Sequence, residues 1–166
     1  MLKILGFPWG KILLFLIFIT VFDLWSQPHI LYLNSYQIGY KWSDDEQRGF
    51  LETLESAGIR PSVEFLDVKR YPHKFDPESF SAYLNAKYAD TPPELLVAAD
   101  DAAFEFLLTR RKYLFPGASI VFCGVNFAGY ETIAGNTDVY GVSETPDVAD
   151  TLELMGRIHP DKDQVA

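Results

Sequence analysis

The chain after residue 28 alternates short apolar runs with longer amphipathic stretches. The apolar runs predict five strands, at residues 29–33, 62–66, 94–99, 119–123 and 139–142. The stretches between them predict helices at residues 44–57, 77–88 and 102–113, and a last helix with Pro146 in its first turn ends near residue 158. A short segment at 130–134 precedes the fifth strand. Strands that alternate with helices through short connections are typical of a parallel sheet with helices on both faces.

Right-handed crossovers and short loops favour the strand order 2-1-3-4-5 for this pattern. The sequence therefore predicts an α/β fold with a Rossmann-like or flavodoxin-like five-stranded parallel sheet. The run at 94–99 is the most uniformly apolar, which predicts a central strand. In such a sheet the carboxyl ends of all strands lie along one edge, and open α/β sheets bind their ligands there.

The polar and aromatic residues that follow the predicted strands form the candidate ligand site. The predicted ligand-binding residues are Asn34, Ser35, Tyr36, Tyr40 and Trp42 in a turn after the first strand, with Asp100, Asp101, Asn126 and Glu144 after later strands. Asp67 ends the second strand at the same edge. Carboxylates, amides and aromatic rings suit a neutral or cationic small molecule, held by hydrogen bonds and ring stacking.

Several of these residues also have a purely structural interpretation, and the sequence leaves both open. Asp100 and Asp101 are candidates for the N-cap and first-turn acids of a helix. Ser43 followed by Glu46 matches a capping box. Tyr40 and Trp42 would equally pack beneath the loop, and Asn126 would equally cap the next segment. On these alternatives the residues contribute to the stability of the fold, whereas on the site hypothesis they contribute to ligand binding.

Composition limits the partners of the chain. Its 166 residues are 48% hydrophobic, enough for one core, and the formal net charge of −9 argues against nucleic acid or an anionic membrane surface as a partner. The lone Cys123 excludes an internal disulfide and is expected to be a small buried side chain in a strand.

The first residues predict export from the cytoplasm. Lys3 and Lys11 precede an uninterrupted apolar run at residues 12–22, which is typical of a signal peptide. We expect residues 1–26 to be either a cleaved signal peptide or an uncleaved signal-anchor that attaches the protein to the membrane. We also expect residues 161–166 to open a second lobe that continues beyond this chain.

Motifs for catalysis and cofactors are sparse. The sequence contains no glycine-rich phosphate loop and no G-x-S-x-G nucleophile elbow. His29, His73 and His159 lie at separate places in the predicted layout and lack the spacing of metal ligands. We therefore expect no catalytic residue, no metal and no cofactor. An exported enzyme that uses Asp100 or Asp101 as its acid is the weaker alternative.

Five ordered motifs carry a resemblance to a known family. They are LYLNSYQIGYKWSDDEQRGF, DVKRYP, AADDAAFEFLL, LFPGASIVFCGVN and GVSETPDVADTLELMGRIHP. Together they resemble the N-terminal lobe of the ABC-transporter substrate-binding-like family, in the version fused as a periplasmic sensor to bacterial membrane histidine kinases and diguanylate cyclases. The resemblance covers about residues 30–160.

The resemblance implies a type I periplasmic-binding fold, in which two Rossmann-like lobes close on a ligand at the carboxyl ends of their strands. On this lobe it places the pocket at Asn34, Ser35, Tyr36, Asp100, Asp101, Asn126 and Glu144. We therefore expect an extracytoplasmic small-molecule sensor domain of a membrane signalling protein. The alternative is a solute-binding protein that delivers its ligand to an ABC transporter. No lipobox cysteine follows the apolar run, which favours the sensor.

Overall fold

The computed structural model of the chain describes residues 28–126, 136–144 and 147–160. The strands are β1 (Ile30–Asn34), β2 (Ser62–Phe65), β3 (Leu95–Ala99), β4 (Ser119–Asn126) and β5 (Val139–Glu144). The helices are α1 (Lys41–Ser56), α2 (Pro77–Lys87), α3 (Asp100–Leu114) and α4 (Val148–Ile158). All strand pairs are parallel, and the order is β2-β1-β3-β4-β5. The predicted fold class and strand order are therefore confirmed.

The sheet lies between two apolar cores, because successive side chains of a strand point to opposite faces. Leu31 and Leu33 of β1 face the larger core, which α2 and α3 complete. Tyr32 faces the smaller core, together with Phe50 and Leu54 of α1. Helices thus cover both faces of the sheet, as the sequence pattern predicts. Because side chains of β1 alternate between the two faces, only every second one faces α1.

Glu64 and Arg111 are charged side chains buried in the fold, and each has polar or oppositely charged partners. Glu64 in β2 accepts hydrogen bonds from Lys87 Nζ at 2.6 Å and from Tyr88 Oη at 2.7 Å. Arg111 in α3 donates to the carbonyl of Ala118 at 2.8 Å and forms an ion pair with Asp138. Buried charges normally have such partners, since an unpaired one is costly.

Helix α1 begins at Lys41, three residues before its predicted start, and the predicted capping box is wrong. Ser43 lies inside the helix and is fully buried, where its hydroxyl donates a hydrogen bond to Asn34 Oδ1 at 3.2 Å. Because Ser43 is not the N-cap residue, it cannot form the reciprocal bonds of a capping box with Glu46. Neither side chain therefore caps the helix.

The earlier start of α1 also changes the place of Trp42. We predicted Trp42 to lie in the turn, but it belongs to the first turn of the helix and is 58% exposed, so it does not pack beneath the loop. Tyr40 is the N-cap residue and has no side-chain cap bond. Asp44 instead accepts the backbone amide of Gly39 at 2.9 Å, which fixes the turn against the helix.

Several predictions concern residues outside the described part of the chain. They are the leader at residues 1–26, the segment at 130–134, the role of Pro146 and the start of a second lobe at 161–166. Within residues 28–126, 136–144 and 147–160, no helix combines the length and apolarity needed to cross a membrane. Every residue of α4 is exposed, including the apolar Leu152, Leu154 and Ile158.

Candidate functional site

The carboxyl ends of the five parallel strands meet at one edge of the sheet. The register pairs Asn34 with Phe65 and Ala99, and Ala99 with Cys123, so that these strand ends lie side by side. Asn126 pairs in turn with Glu144 at the end of β5. The sheet therefore brings the predicted site residues to a common edge, although they do not all face solvent there.

Asn34 lies at this edge, but its polar groups are used within the protein. Its Oδ1 accepts hydrogen bonds from the backbone amide of Tyr36 at 2.8 Å and from the hydroxyl of Ser43. Its Nδ2 donates to Gln47 Oε1 at 3.4 Å, and the side chain is fully buried. Asn34 thus holds the turn after β1 against helix α1, and this role needs no ligand.

Ser35 has a similar structural role between β1 and α3. Its hydroxyl donates to the carbonyl of Ala99 at 2.7 Å and accepts the backbone amide of Ala103 at 2.8 Å. The side chain is fully buried, so these two bonds use the groups that a ligand would need. Ser35 joins the first strand to the start of α3, the helix that begins with Asp100.

Asp100 is the predicted site residue with the most unusual environment. Its backbone adopts φ +70°, which few residues other than glycine adopt, and its side chain is only 5% exposed. Tyr36 Oη donates to Asp100 Oδ1 at 3.4 Å, whereas Oδ2 is buried and has no hydrogen-bond partner among the described residues. A non-glycine residue held at positive φ costs about 1–3 kcal/mol and is often part of a functional site.

The electrostatic surroundings of Asp100 oppose its negative charge. The pKa of Asp100 is raised to about 6, mainly by burial and by the nearby Glu46 carboxyl. Asp101 and Glu144 contribute smaller increases to this value, and the hydrogen bond from Tyr36 opposes them. Three acidic side chains, from α1, α3 and β5, therefore act on the Asp100 carboxyl at this edge of the sheet.

Glu46 is a site residue that the sequence analysis interpreted only as part of a cap. Its Oε2 is buried without a hydrogen-bond partner in the described ranges. The sequence did contain a signal for it, since Ser43, Glu46, Phe50 and Leu54 follow helical spacing along the inward face of α1. A glutamate in an inward-facing row of a helix indicates a polar contact in the interior.

Tyr32 and Cys123 extend towards the same carboxyl groups from β1 and β4. The Tyr32 side chain is fully buried, and its hydroxyl has no hydrogen-bond partner among the described residues. Burial, together with Glu46, Cys123 and Asp100, raises the pKa of the Tyr32 hydroxyl far above its ordinary value. The hydroxyl is thus neutral and offers one proton and two lone pairs.

Cys123 lies in a strand, as predicted, and is partly buried. Burial raises the pKa of its thiol, and a hydrogen bond with Glu46 adds to the effect. The thiol is therefore protonated at neutral pH, whereas the thiolate is the reactive form of cysteine. This environment does not suit a nucleophile.

Tyr36 and Tyr40 form an aromatic pair beside Asp100. Their ring centroids are 5.0 Å apart at an interplanar angle of 76°. Lys69, from the loop after β2, lies 4.2 Å from the Tyr40 ring centroid and donates to Tyr40 Oη at 2.8 Å. The sequence analysis missed Lys69, because loop residues carry no periodic signal. The lysine charge is directed to the tyrosines, and burial and Asp100 raise the pKa of Tyr36 to about 12.

Asp101 and Asn126 bind each other. The backbone amide of Asn126 donates to Asp101 Oδ1 at 2.9 Å, and its side-chain amide donates to Oδ2 at 3.3 Å. Both residues are exposed, Asn126 at the end of β4 and Asp101 in the first turn of α3. Neither aspartate is the N-cap residue of α3, because Ala99 occupies that position without a side-chain cap bond, so this alternative is wrong. Their predicted position in the first turn is correct.

The remaining candidates lie at the margin of the cluster or away from it. Glu144 is exposed at the end of β5, close enough to raise the pKa of Asp100, and Trp42 is exposed on α1. His29 binds the carbonyl of Thr91 through Nδ1 at 2.6 Å, at the opposite end of β1. In the described ranges, no group of three or more His, Cys, Asp or Glu side chains is placed to hold a metal ion.

An open groove of about 690 Å³ lies beyond the end of β2, separate from the acidic cluster. Its lining includes aromatic side chains of α2 and the preceding loop, among them Tyr71, Phe75 and Phe80. Of the residues predicted at the sheet edge, only Asp67 reaches it, and that carboxylate is paired with Arg70. The groove therefore offers few unpaired polar groups to orient a ligand.

Comparison of the chain with protein-family models, with curated proteins and with solved structures gave no significant match. The resemblance to the substrate-binding-like family stays a prediction from the sequence motifs. The geometry of the carboxyl edge is therefore the basis for assigning a function to this chain.

Proposed function

We propose that this chain carries the ligand-binding lobe of an extracytoplasmic sensor protein, with a small molecule bound at the carboxyl edge of the sheet. The observation that carries the proposal is the state of Asp100. Its carboxyl is buried, is held by a strained backbone, and has one oxygen without a partner among the described residues. Such an arrangement lowers the stability of the folded protein. Strained and destabilising arrangements of this kind cluster at functional sites.

The structure changes the roles of the residues that the sequence assigned to the pocket. Asn34 and Ser35 are fully buried and hydrogen-bonded within the protein, so we assign them to hold the first turn in place. Tyr36 and Asp100 are linked by a hydrogen bond and form the centre of the proposed site. Glu46 joins them, since it contributes to the field at Asp100.

In the proposed sensor, ligand binding stabilises a closed arrangement of this lobe with a second lobe of the same protein. A membrane segment then passes the change to a cytoplasmic histidine kinase or diguanylate cyclase module. A ligand shifts such an equilibrium only by its difference in affinity for the two states. The residues that face the second lobe therefore matter as much as those that contact the ligand first.

A thermal-shift screen of the purified chain in mild detergent tests the binding function. Neutral, cationic and anionic small molecules are compared for the native chain and for Asp100→Asn, which keeps the shape of the side chain. We expect at least one compound to raise the melting temperature of the native chain but not that of the variant. Glu105→Gln is the control, because Glu105 is exposed on the same helix. Equal stabilisation of all three proteins would contradict a site at Asp100.

A fusion of alkaline phosphatase after residue 160 tests the location, because this enzyme is active only after export from the cytoplasm. We expect activity in the membrane fraction, as a signal-anchor requires. Activity in the soluble periplasmic fraction would favour the transporter-linked solute-binding protein. An inactive fusion protein, with an active green fluorescent protein fusion at the same position, would contradict both.

A further inference from the structure

The two faces of the sheet are covered to different extents. Helices α2 and α3 pack on the larger core, whereas α1 is the only helix of the described residues that packs on the smaller one. A helix with its side chains is about 10 Å wide, and neighbouring strands are about 4.8 Å apart, so one helix covers about two strands. A five-stranded sheet therefore has room for another helix beside α1.

The uncovered part of this face lies on β4 and β5. Val139 of β5 is buried in the larger core, so Tyr140 and Val142 point to the other face, where they are 60% and 73% exposed. Val121 of β4, which pairs with Tyr140, is only half-buried, although its neighbour Ile120 is fully buried. We call Val121, Tyr140 and Val142 the open sheet face. Parallel sheets are normally covered on both sides, so this face indicates a docking place for a helix.

Helix α4 has an apolar side that its own chain does not cover. Four apolar side chains share one side of this helix, which we call the α4 stripe, at Val148, Leu152, Met155 and Ile158. The charged side chains lie on the opposite side, at Asp150, Glu153 and Arg157. All residues of α4 are exposed, although a surface helix normally buries its apolar side against a partner.

The α4 stripe and the open sheet face match in size and are close in sequence. The 11 residues of α4 span about 16 Å, and the six residues of β5 span about 20 Å. Three residues, 145–147, connect the strand to the helix. The two surfaces nevertheless do not meet within one chain, because α4 is exposed along its whole length. Short connections of this kind invite exchange of an element between copies.

We propose that α4 packs on the open sheet face of a second copy of this chain, while the α4 of that copy packs on the first. A second copy carries both surfaces, so the exchange covers all of these exposed apolar side chains in one symmetric interface. It also forms two contacts, whereas a single contact of an 11-residue helix is small beside the about 800 Å² that each partner of a stable dimer buries. This association does not depend on the proposed ligand site.

The charge of the chain gives the dimer a distinctive dependence on salt. Each copy has a formal net charge of −9, so two copies repel each other at low ionic strength. Salt screens this repulsion, since the Debye length falls from about 30 Å at about 0.01 M to about 8 Å at about 0.15 M. The dimer should therefore become tighter as sodium chloride is added. An interface held by ion pairs would become weaker instead.

Sedimentation equilibrium of the purified chain in density-matched mild detergent measures the association. We expect a reversible equilibrium between monomer and dimer. Val142→Asp and Leu152→Asp should each raise the dissociation constant of the dimer about tenfold or more, because each places an unpaired charge in an apolar contact. Ile38→Asp is the matched control, since Ile38 is 74% exposed outside both surfaces and the substitution adds the same charge.

A mixture of the two variants tests the exchange itself. In a dimer of either variant alone, both contacts contain an altered side chain. In the mixed dimer, the native α4 of Val142→Asp meets the native sheet face of Leu152→Asp, so one contact is intact. We expect the mixture to associate more strongly than either variant alone. A dimer in which α4 pairs with α4 would be weakened by Leu152→Asp and not by Val142→Asp, which would overturn the proposal.

Cross-linking identifies the chain that supplies the helix. Val142→Cys and Leu152→Cys are combined with Cys123→Ser, and the thiols are treated with a short bismaleimide. A link between two chains would support the exchange, whereas a link within a monomer would show that α4 packs on its own sheet and would overturn it. A native chain that stays monomeric at every salt concentration, or a dimer that neither aspartate weakens, would also overturn it. Circular dichroism confirms that each variant is folded.

Discussion

Replacement of Asp100 by asparagine should stabilise the protein at neutral pH, and this is the sharpest consequence of the site geometry. The pKa of Asp100 is raised from 3.8 to about 6 in the folded chain. A carboxyl with a raised pKa favours the folded state most when it is protonated. Its contribution is full below the unfolded value and is lost as the pH rises through about 6.

The magnitude follows from the size of the shift. A change of one pKa unit corresponds to about 1.36 kcal/mol, so the shift at Asp100 makes the folded state about 3 kcal/mol less stable above pH 6 than at low pH. Asparagine has nearly the same shape, is neutral at every pH and tolerates positive φ. The stability gain of Asp100→Asn should therefore be small near about pH 4 and approach roughly 3 kcal/mol near about pH 8.

Urea unfolding followed by circular dichroism at several pH values measures this difference. Glu105→Gln serves as the control, because it removes one exposed negative charge from the same helix of an acidic chain. Any general effect of net charge then appears in both variants and can be subtracted. A stability difference for Asp100→Asn that stays constant between about pH 4 and about pH 8 would refute the reasoning, as would a loss of stability at the higher pH.

Other substitutions test the remaining parts of the argument. Ser35→Ala should lower the free energy of unfolding by about 2–3 kcal/mol, since it removes two buried hydrogen bonds; a loss below about 0.5 kcal/mol in urea unfolding would contradict its linking role. Gly49→Ala, on the open surface of α1, should raise that free energy by about 0.5–1 kcal/mol, whereas Gly124→Ala should lower it because φ is positive and Glu46 is close. Equal effects of the two alanines would contradict this geometry. The Cys123 thiol should react with iodoacetamide at about pH 8 at least about tenfold more slowly in the folded chain than in urea, and equal rates would show an accessible thiolate.

The fold could be predicted from the sequence because its signals are local. Each strand is a short apolar run, and each predicted strand overlaps the observed one. The start of α1 was wrong because Ser43 and Glu46 imitate a capping box, while the real turn depends on the contact of Asp44 with Gly39. A four-residue sequence pattern does not show which of several neighbouring acidic side chains will accept a hydrogen bond from the turn.

The site was predicted less well, because it depends on which way side chains point across the sheet. Asn34 and Ser35 follow the first strand, as a pocket residue should, yet their polar groups bond within the protein. Tyr32 was interpreted as an ordinary strand residue, and Glu46 as part of a cap. Both contribute to the acidic cluster because β1 and α1 turn them towards the same point beside β4.

The energetics of this cluster indicate that folding alone does not account for it. Glu46 and Asp100 place like charges near each other in a buried setting, and Asp100 adds backbone strain. Three buried oxygens that have no hydrogen-bond partner among the described residues, at about 1–3 kcal/mol each, represent a large fraction of the stability of a typical small domain. Asparagine at position 100 would relieve part of this cost without changing the shape of the site. A ligand that donates to these oxygens would remove most of it on binding, so the same groups that weaken the unliganded lobe would strengthen the bound one. Stability and affinity at this edge should therefore change in opposite directions when the acids are neutralised, which a purely structural cluster would not do.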